Sequence, residues 1–147
     1  MPNSPLAIAA VVFIAAGCQG QSEPAHATTQ DTNRITVDDK TYTVSSVKCF
    51  QVQWLLTVEA AAGPSRVTAM LQLGGETPTV RTVNIENFDG FYGVSGRAVA
   101  DTDAEATFAD GTYTITGNAE GANSGDPTTQ RTAPFRIEAR CEHATTG

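Results

Sequence analysis

Short runs of alternating apolar and polar residues fill the chain from Arg34 onward. Segment 67–73 is the cleanest example, because every second residue is apolar and Gly74-Gly75 follows. Asp110-Gly111, with an alternating run on each side, is the strongest hairpin signal. Alternation of this kind favours strand over a helical turn throughout, including segment 54–62. The pattern predicts an all-β domain over residues 34–142, either an antiparallel β-sandwich or a barrel-like sheet.

Three segments depart from this alternation. Phe50, Val52 and Trp54 alternate, but Leu55-Leu56 then break the phase, which predicts a bulge or a change of face. Residues 121–132 carry no large apolar side chain and are predicted to form a polar loop. Residues 143–147 are predicted to be a disordered tail.

A different pattern precedes the domain. Residues 6–16 form an unbroken apolar run, too short to span a bilayer as a helix, which takes about 20 residues. A run of this length that ends in small residues is typical of a signal peptide. The sequence Ala15-Ala16-Gly17-Cys18 resembles a bacterial lipobox. We therefore expect residues 1–17 to be a lipoprotein signal peptide and Cys18 to be the acylated mature N-terminus; a plain secretory signal is the alternative.

Residues 18–33 are predicted to be this lipidated cysteine followed by a disordered, Thr-rich tether. The segment is rich in Gln, Thr, Ser, Ala and Pro, so it buries too little apolar surface to offset the entropy lost on ordering. Thr28, Thr29 and Thr32 are candidate sites for O-linked sugar, although a Thr-rich linker is more often bare.

The chain has three cysteines, an odd number for an exported protein. If Cys18 carries lipid, Cys49 and Cys141 remain as a pair, each inside a predicted strand. Their disulfide closes a loop of about 93 residues, worth about 4–5 kcal/mol on the chain-entropy model. A metal site or a catalytic thiol is the weaker alternative, because the two histidines, His26 and His143, fall in the tether and the tail.

The formal net charge is −7, and the nine basic residues are spread singly along the chain. Without a basic cluster to neutralise phosphates, nucleic acid is excluded as a partner. An acidic protein also gains little from electrostatic attraction to anionic lipid. Contact with a membrane is therefore expected to come through the acylated N-terminus.

The order of these features resembles the mycobacterial nineteen-kilodalton lipoprotein antigen (LpqH) family. The resemblance rests on the lipobox, the Thr-rich tether, the opening ITVDDK at 35–40, DGTYTITGNAEG at 110–121 and FRIEARC at 135–141. It implies a surface antigen of the cell envelope, anchored by lipid to the outer face of the plasma membrane. It also implies Cys18 as the lipid site, Cys49–Cys141 as the bridge, and recognition of the lipidated N-terminus by the innate receptor TLR2. The resemblance brings no catalytic residue.

The sequence contains few candidates for catalytic or metal-binding residues. Acidic pairs such as Asp38/Asp39 fall in predicted turns, where acids are usually solvated. A Ser-His-Asp set is hard to build, since both histidines lie outside the predicted core. We therefore expect no enzyme activity, no metal and no cofactor.

The aromatics Phe88, Phe91 and Tyr92 lie beside glycines. Core packing is the favoured role for them. The alternative is the adaptable rim of an apolar pocket that holds an acyl chain or glycolipid. The main functional prediction is a membrane-anchored, non-enzymatic lipoprotein that meets host or envelope partners. The second is a lipid or glycolipid binding or transport protein of the envelope.

Overall fold

The structure, a computed structural model, describes residues 33–100, 102–142 and 145–146. All of its regular elements are strands, and the bounds of these strands in chain order are β1 Arg34–Val37, β2 Lys40–Thr43, β3 Ser46–Val52, β4 Leu55–Ala62, β5 Ser65–Gln72, β6 Thr79–Phe88, β7 Phe91–Gly96, β8 Ala104–Ala109, β9 Thr112–Asn123, β10 Asp126–Arg140 and β11 Thr145–Thr146. The prediction of an all-β domain is confirmed.

The strands form one curled sheet of half-barrel shape, in the order β11-β3-β4-β5-β6-β7-β9-β10-β1-β2. All pairs are antiparallel except the short parallel pair of β11 with β3. Strand β9 changes partner along one edge: residues 112–117 pair with β8, and residues 120–123 pair with β7. The sheet is therefore the barrel-like one of the two predicted arrangements.

The core lies on the inner face of this curl. Strands β4 and β5 show why, since every second residue is buried along each of them. Alternate side chains of a strand point to opposite faces, so the apolar set of each strand points inward together. The largest fully buried side chains are Phe88, Phe91, Ile35, Leu56, Leu71, Ile85, Ile115 and Ile137.

Two turns are present at the positions predicted from the sequence. Asp38 and Asp39 have φ of 56° and 65° and join β1 to β2; Asp110 and Gly111 have φ of 52° and 78° and join β8 to β9. A two-residue hairpin turn of type I′ requires positive φ at both central positions, which Asp and Gly tolerate.

One prediction holds in part and another is wrong. The phase break at Leu55-Leu56 is a change of face and not a bulge. A tight turn at Gln53-Trp54 places Leu55 opposite Val52, so the even-numbered residues are exposed at Phe50 and Val52 but buried at Leu56 and Val58. The expected polar loop at 121–132 is instead the extended end of the β9–β10 hairpin, with β9 reaching Asn123 and β10 beginning at Asp126. This end is largely exposed and has a register shift between Asp126 and Arg131, so it lacks the apolar alternation that usually reveals a strand.

The disulfide between Cys49 and Cys141 is present, as predicted, with the two Cα atoms 5.7 Å apart and 92 residues apart in sequence. Cys49 lies in the middle of β3, and Cys141 follows the last residue of β10. These strands belong to distant parts of the strand order. The bond therefore fastens the two sides of the curl to each other.

Candidate functional site

Both ends of the domain's chain meet at one end of the sheet. The backbone N–H of Arg140 donates to Asn33 Oδ1 at 2.8 Å. The backbone N–H of Cys141 donates to the carbonyl of Gly111 at 3.1 Å, and Cys141 is bonded to Cys49. The first described residue, the end of β10, the β8–β9 turn and the disulfide are therefore neighbours.

Two further loops lie at the same end. The N–H of Leu73 donates to the carbonyl of Trp54 at 2.7 Å, and a Cβ on Gly74 would lie 3.3 Å from the Trp54 ring. The β5–β6 loop, residues 73–78, in turn faces Phe108 and Tyr113 across a cleft of about 260 Å³. We call this region the aromatic end and define it by Phe50, Val52, Trp54, Leu55, Phe108 and Tyr113.

The aromatic end exposes more apolar side-chain surface than its surroundings. Trp54 is 67% exposed and Phe108 52% exposed. Phe50, Val52 and Leu55 are also exposed, on the outer face of the β3–β4 hairpin, where Val52 pairs with Leu55. Clustered exposed apolar residues of this kind mark contact surfaces more often than scattered ones do. Among the described residues, Tyr92 and Val94 are the other large hydrophobics with comparable exposure.

The side chains of the aromatic end form two groups. The rings of Phe108 and Tyr113 lie 4.5 Å apart between centroids. Burial of the Tyr113 phenol raises its pKa above the ordinary value. Trp54, Val52 and Leu55 line a second shallow pocket of about 230 Å³ together with Gln72 and Arg81. Arg81 donates to Gln72 at 3.0 Å, so one cationic group stands beside the exposed indole.

The opposite end of the sheet is polar, and we call it the polar end. Lys40 Nζ donates to Asp89 Oδ2 at 2.6 Å, which joins the β1–β2 and β6–β7 hairpins. This hydrogen bond lowers the pKa of Asp89 and raises the pKa of Lys40. The pKa of Tyr42 is raised mainly by burial and then by the charge of Asp89.

Arg131 makes a second link at the polar end. Its Nη1 donates to Asp38 Oδ2 at 2.8 Å and its Nε donates to Asn123 Oδ1 at 2.9 Å. The guanidinium lies over the Phe91 ring at 4.6 Å, a cation–π distance. One side chain therefore holds the β1–β2 turn, the β9–β10 hairpin and the core together.

The three candidates for an apolar rim do not lie together on a surface. Phe88 and Phe91 are 2% and 0% exposed, and Tyr42 packs edge-on against Phe88 at 4.9 Å. Tyr92 faces outward and is 47% exposed. The burial of both phenylalanines favours core packing as their role. The rim of an apolar pocket stays a prediction.

Other predicted site residues lie outside the described residues: Cys18, Thr28, Thr29 and Thr32. The two histidines that the sequence analysis placed in the tether and the tail, His26 and His143, lie outside them as well. Within the described part of the chain, no group of three or more His, Cys, Asp and Glu is placed to hold a metal ion. No helix in that part is long and apolar enough to cross a membrane.

Sequence reasoning missed the aromatic end. Trp54, Phe50 and Phe108 were each assigned to alternating strands, where an aromatic residue is usually buried. The signal that was available is the phase break after Trp54. A residue at a phase break lies outside the alternation that fills the core, and here it lies in a turn.

Comparison with known proteins identifies the family of this chain. Residues 26–141 match the family model described as Mycobacterium 19 kDa lipoprotein antigen. A protein of Mycobacterium tuberculosis named "Probable lipoprotein LppE" is 30% identical over 146 residues, covering 96% of this chain and 100% of that protein. A protein of Mycobacterium avium subsp. hominissuis, also named as a lipoprotein, is 28% identical over 141 residues, covering 96% and 97%. The chain therefore belongs to the Mycobacterium 19 kDa lipoprotein antigen family.

Proposed function

We propose that the protein is a lipid-anchored display protein of the cell envelope, acylated on Cys18, with residues 19–33 as a tether and the β domain as a non-enzymatic interaction module. The observation that carries this is the pairing of Cys49 with Cys141. The chain has three cysteines, so the bridge leaves Cys18, at the end of the lipobox-like sequence, as the thiol that a lipid can take.

The distribution of the remaining chemistry supports an interaction role over catalysis. The ionisable groups with shifted pKa at the polar end are Lys40, Tyr42 and Asp89, and the lysine and aspartate form an exposed ion pair. In such an exposed pair the two charges neutralise each other, and the pair joins two hairpins. On the outer face of the membrane, the acylated N-terminus is the part proposed to meet TLR2, and the domain is the part proposed to meet other host or envelope partners.

The first test is the intact mass of the protein extracted from its native membrane, before and after reduction. We expect a mature form that begins at Cys18, carries acyl mass and gains two hydrogens when the Cys49–Cys141 bond is reduced. Increments of hexose mass would support sugar on Thr28, Thr29 or Thr32.

A Cys18→Ala variant is the matched control, because it leaves the domain and its bridge unchanged. It is expected to lose the acyl mass and to leave the membrane fraction. An unacylated, water-soluble form of the unmodified protein would overturn the proposal.

A further inference from the structure

We infer that the aromatic end is a membrane-contact surface, which rests against the lipid bilayer and sets the orientation of the domain on it. The inference rests on the proposed anchoring through Cys18. It goes further, because an anchor alone leaves the domain free to turn any face to the membrane.

The first argument is the place where the chain leaves the domain. Asn33 accepts a hydrogen bond from the backbone N–H of Arg140, which pairs with Thr112 next to Tyr113 of the aromatic end. A flexible tether of about 15 residues has a root-mean-square span of about 20 Å. A domain of this size has a radius of gyration of about 13 Å, hence a diameter greater than that span. The end that carries Asn33 is therefore the end held closest to the lipid.

The second argument is the chemistry of that end. Trp54 is 67% exposed, and Phe50, Val52 and Phe108 are also exposed around it. Tryptophan and other aromatic side chains favour the boundary between lipid headgroups and acyl chains, because one part of the ring system is apolar and the indole N–H remains hydrated. Arg81, which lines the same pocket as Trp54, can place its charge among the phosphates.

The third argument is the acidic character of the far end. The polar end carries four aspartates, Asp38, Asp39, Asp89 and Asp126, against Lys40 and Arg131. An acidic surface is repelled by anionic headgroups. Repulsion of the polar end from the membrane and apolar contact of the aromatic end with it favour the same orientation, in which the aromatic end faces the lipid.

Trp54 reports on this contact without any label, because it is the only tryptophan in the chain. The full-length, lipidated protein would be reconstituted in phosphatidylcholine vesicles, with and without brominated phosphatidylcholine as a quencher within the bilayer. Because the inferred contact puts the indole at the lipid boundary, we expect its emission to shift to the blue and to fall by about twofold with brominated lipid. Aqueous iodide is expected to quench it less in vesicles than in detergent.

A pair of matched variants tests the surface itself. Val52 and Val94 are 43% and 42% exposed, but Val52 belongs to the aromatic end and Val94 lies on β7. Val52→Asp is expected to reduce quenching by brominated lipid, since a carboxylate resists transfer out of water. Val94→Asp is expected to leave the quenching unchanged, and both variants should keep the far-ultraviolet circular dichroism of the unmodified protein.

The outcomes separate this inference from the anchor on which it rests. If the protein does not float with vesicles, the proposed anchor fails and the orientation fails with it. If it floats but Trp54 remains open to iodide and unaffected by brominated lipid, the anchor stands and the orientation is overturned. Shielding from iodide without quenching by brominated lipid also overturns it, since a second copy or the tether itself then covers the indole.

Discussion

The two ends of the domain are stabilised by different means. At the aromatic end, the Cys49–Cys141 bond joins strands that are far apart in the sheet, and large apolar side chains remain exposed. At the polar end, ion pairs join neighbouring hairpins, and Phe88 and Phe91 beneath them are buried. A covalent bond stabilises the fold without burying apolar surface. The aromatic end can therefore leave its apolar side chains exposed for contact with a partner.

The largest effect in this comparison is expected from removal of the covalent bond. The double change Cys49→Ala with Cys141→Ala should lower the free energy of unfolding by about 4–5 kcal/mol on the chain-entropy model. Urea unfolding followed by Trp54 fluorescence measures it. The unmodified protein under reducing conditions is the control and should show the same loss. A loss below about 1 kcal/mol would mean that the bond is not what stabilises the aromatic end.

The next largest effect is expected in the part of β9 where its pairing partner changes from β8 to β7. A Cβ on Gly121 would overlap the backbone carbonyl of Tyr92 on β7. Backbone atoms cannot move aside as a flexible side chain does, so Gly121→Ala should cost about 3 kcal/mol. Gly125→Ala is the matched control, because nothing lies within 4 Å of its added Cβ. Equal stability of the two variants in urea unfolding would contradict the close approach of β7 and β9.

A smaller effect is expected at the polar end. Arg131→Met keeps an unbranched chain over the Phe91 ring but removes the hydrogen bonds to Asp38 and Asn123. Because the guanidinium is partly exposed, the loss should be about 1 kcal/mol. Arg136→Met is the control, since Arg136 pairs with Glu138 on its own strand. Thermal unfolding of both variants measures the difference, and a loss at Arg131 no larger than at Arg136 would show that the link between hairpins has no effect on stability.

The smallest effect is a dependence on pH at the same end. Asp89 has a folded pKa below its usual 3.8, so its contribution is present above pH 3.8 and is lost as the pH falls through the folded value. Lys40 has a folded pKa above its usual 10.5, so its contribution is present below pH 10.5 and is lost as the pH rises through the folded value. Lys40→Met should remove the alkaline dependence of the denaturation midpoint and weaken the acidic one, because a hydrogen bond with Tyr42 also lowers the pKa of Asp89. Lys48→Met, which changes an exposed lysine on β3, should leave both in place.

Sequence reasoning succeeded where side chains determine the structure. Asp38-Asp39 and Asp110-Gly111 are residues that tolerate positive φ, so their hairpins could be placed in advance. The bridge was predicted by assigning Cys18 to the lipid, which left Cys49 and Cys141 as a pair. Reasoning failed at Gln53, which takes a φ of 53° although glutamine is not a typical turn residue. Its turn is imposed by the pairing of β3 with β4, and no local residue preference reveals it.

The exposed surfaces were harder to predict than the core. Core packing is the favoured role of Phe91, and Phe91 is buried, but the exposure of Trp54 depends on which loops meet at one end of the curled sheet. That meeting is set by the strand order and by the disulfide, both of which join residues distant in sequence. Alternation along one strand carries no information about such contacts.

The position of β1 in the sheet has a mechanical consequence. The strand that follows the tether lies between β10 and β2 and is hydrogen-bonded to both. When a bound partner pulls the far end of the domain away from the membrane, the tension enters at Asn33 and runs along the axis of β1. The hydrogen bonds on both sides of β1 are perpendicular to that axis, so the pull loads all of them in shear at the same time. A strand peeled away from its end would instead lose its hydrogen bonds one after another. The domain is thus connected to the proposed lipid anchor in the direction in which a β-sheet resists force best.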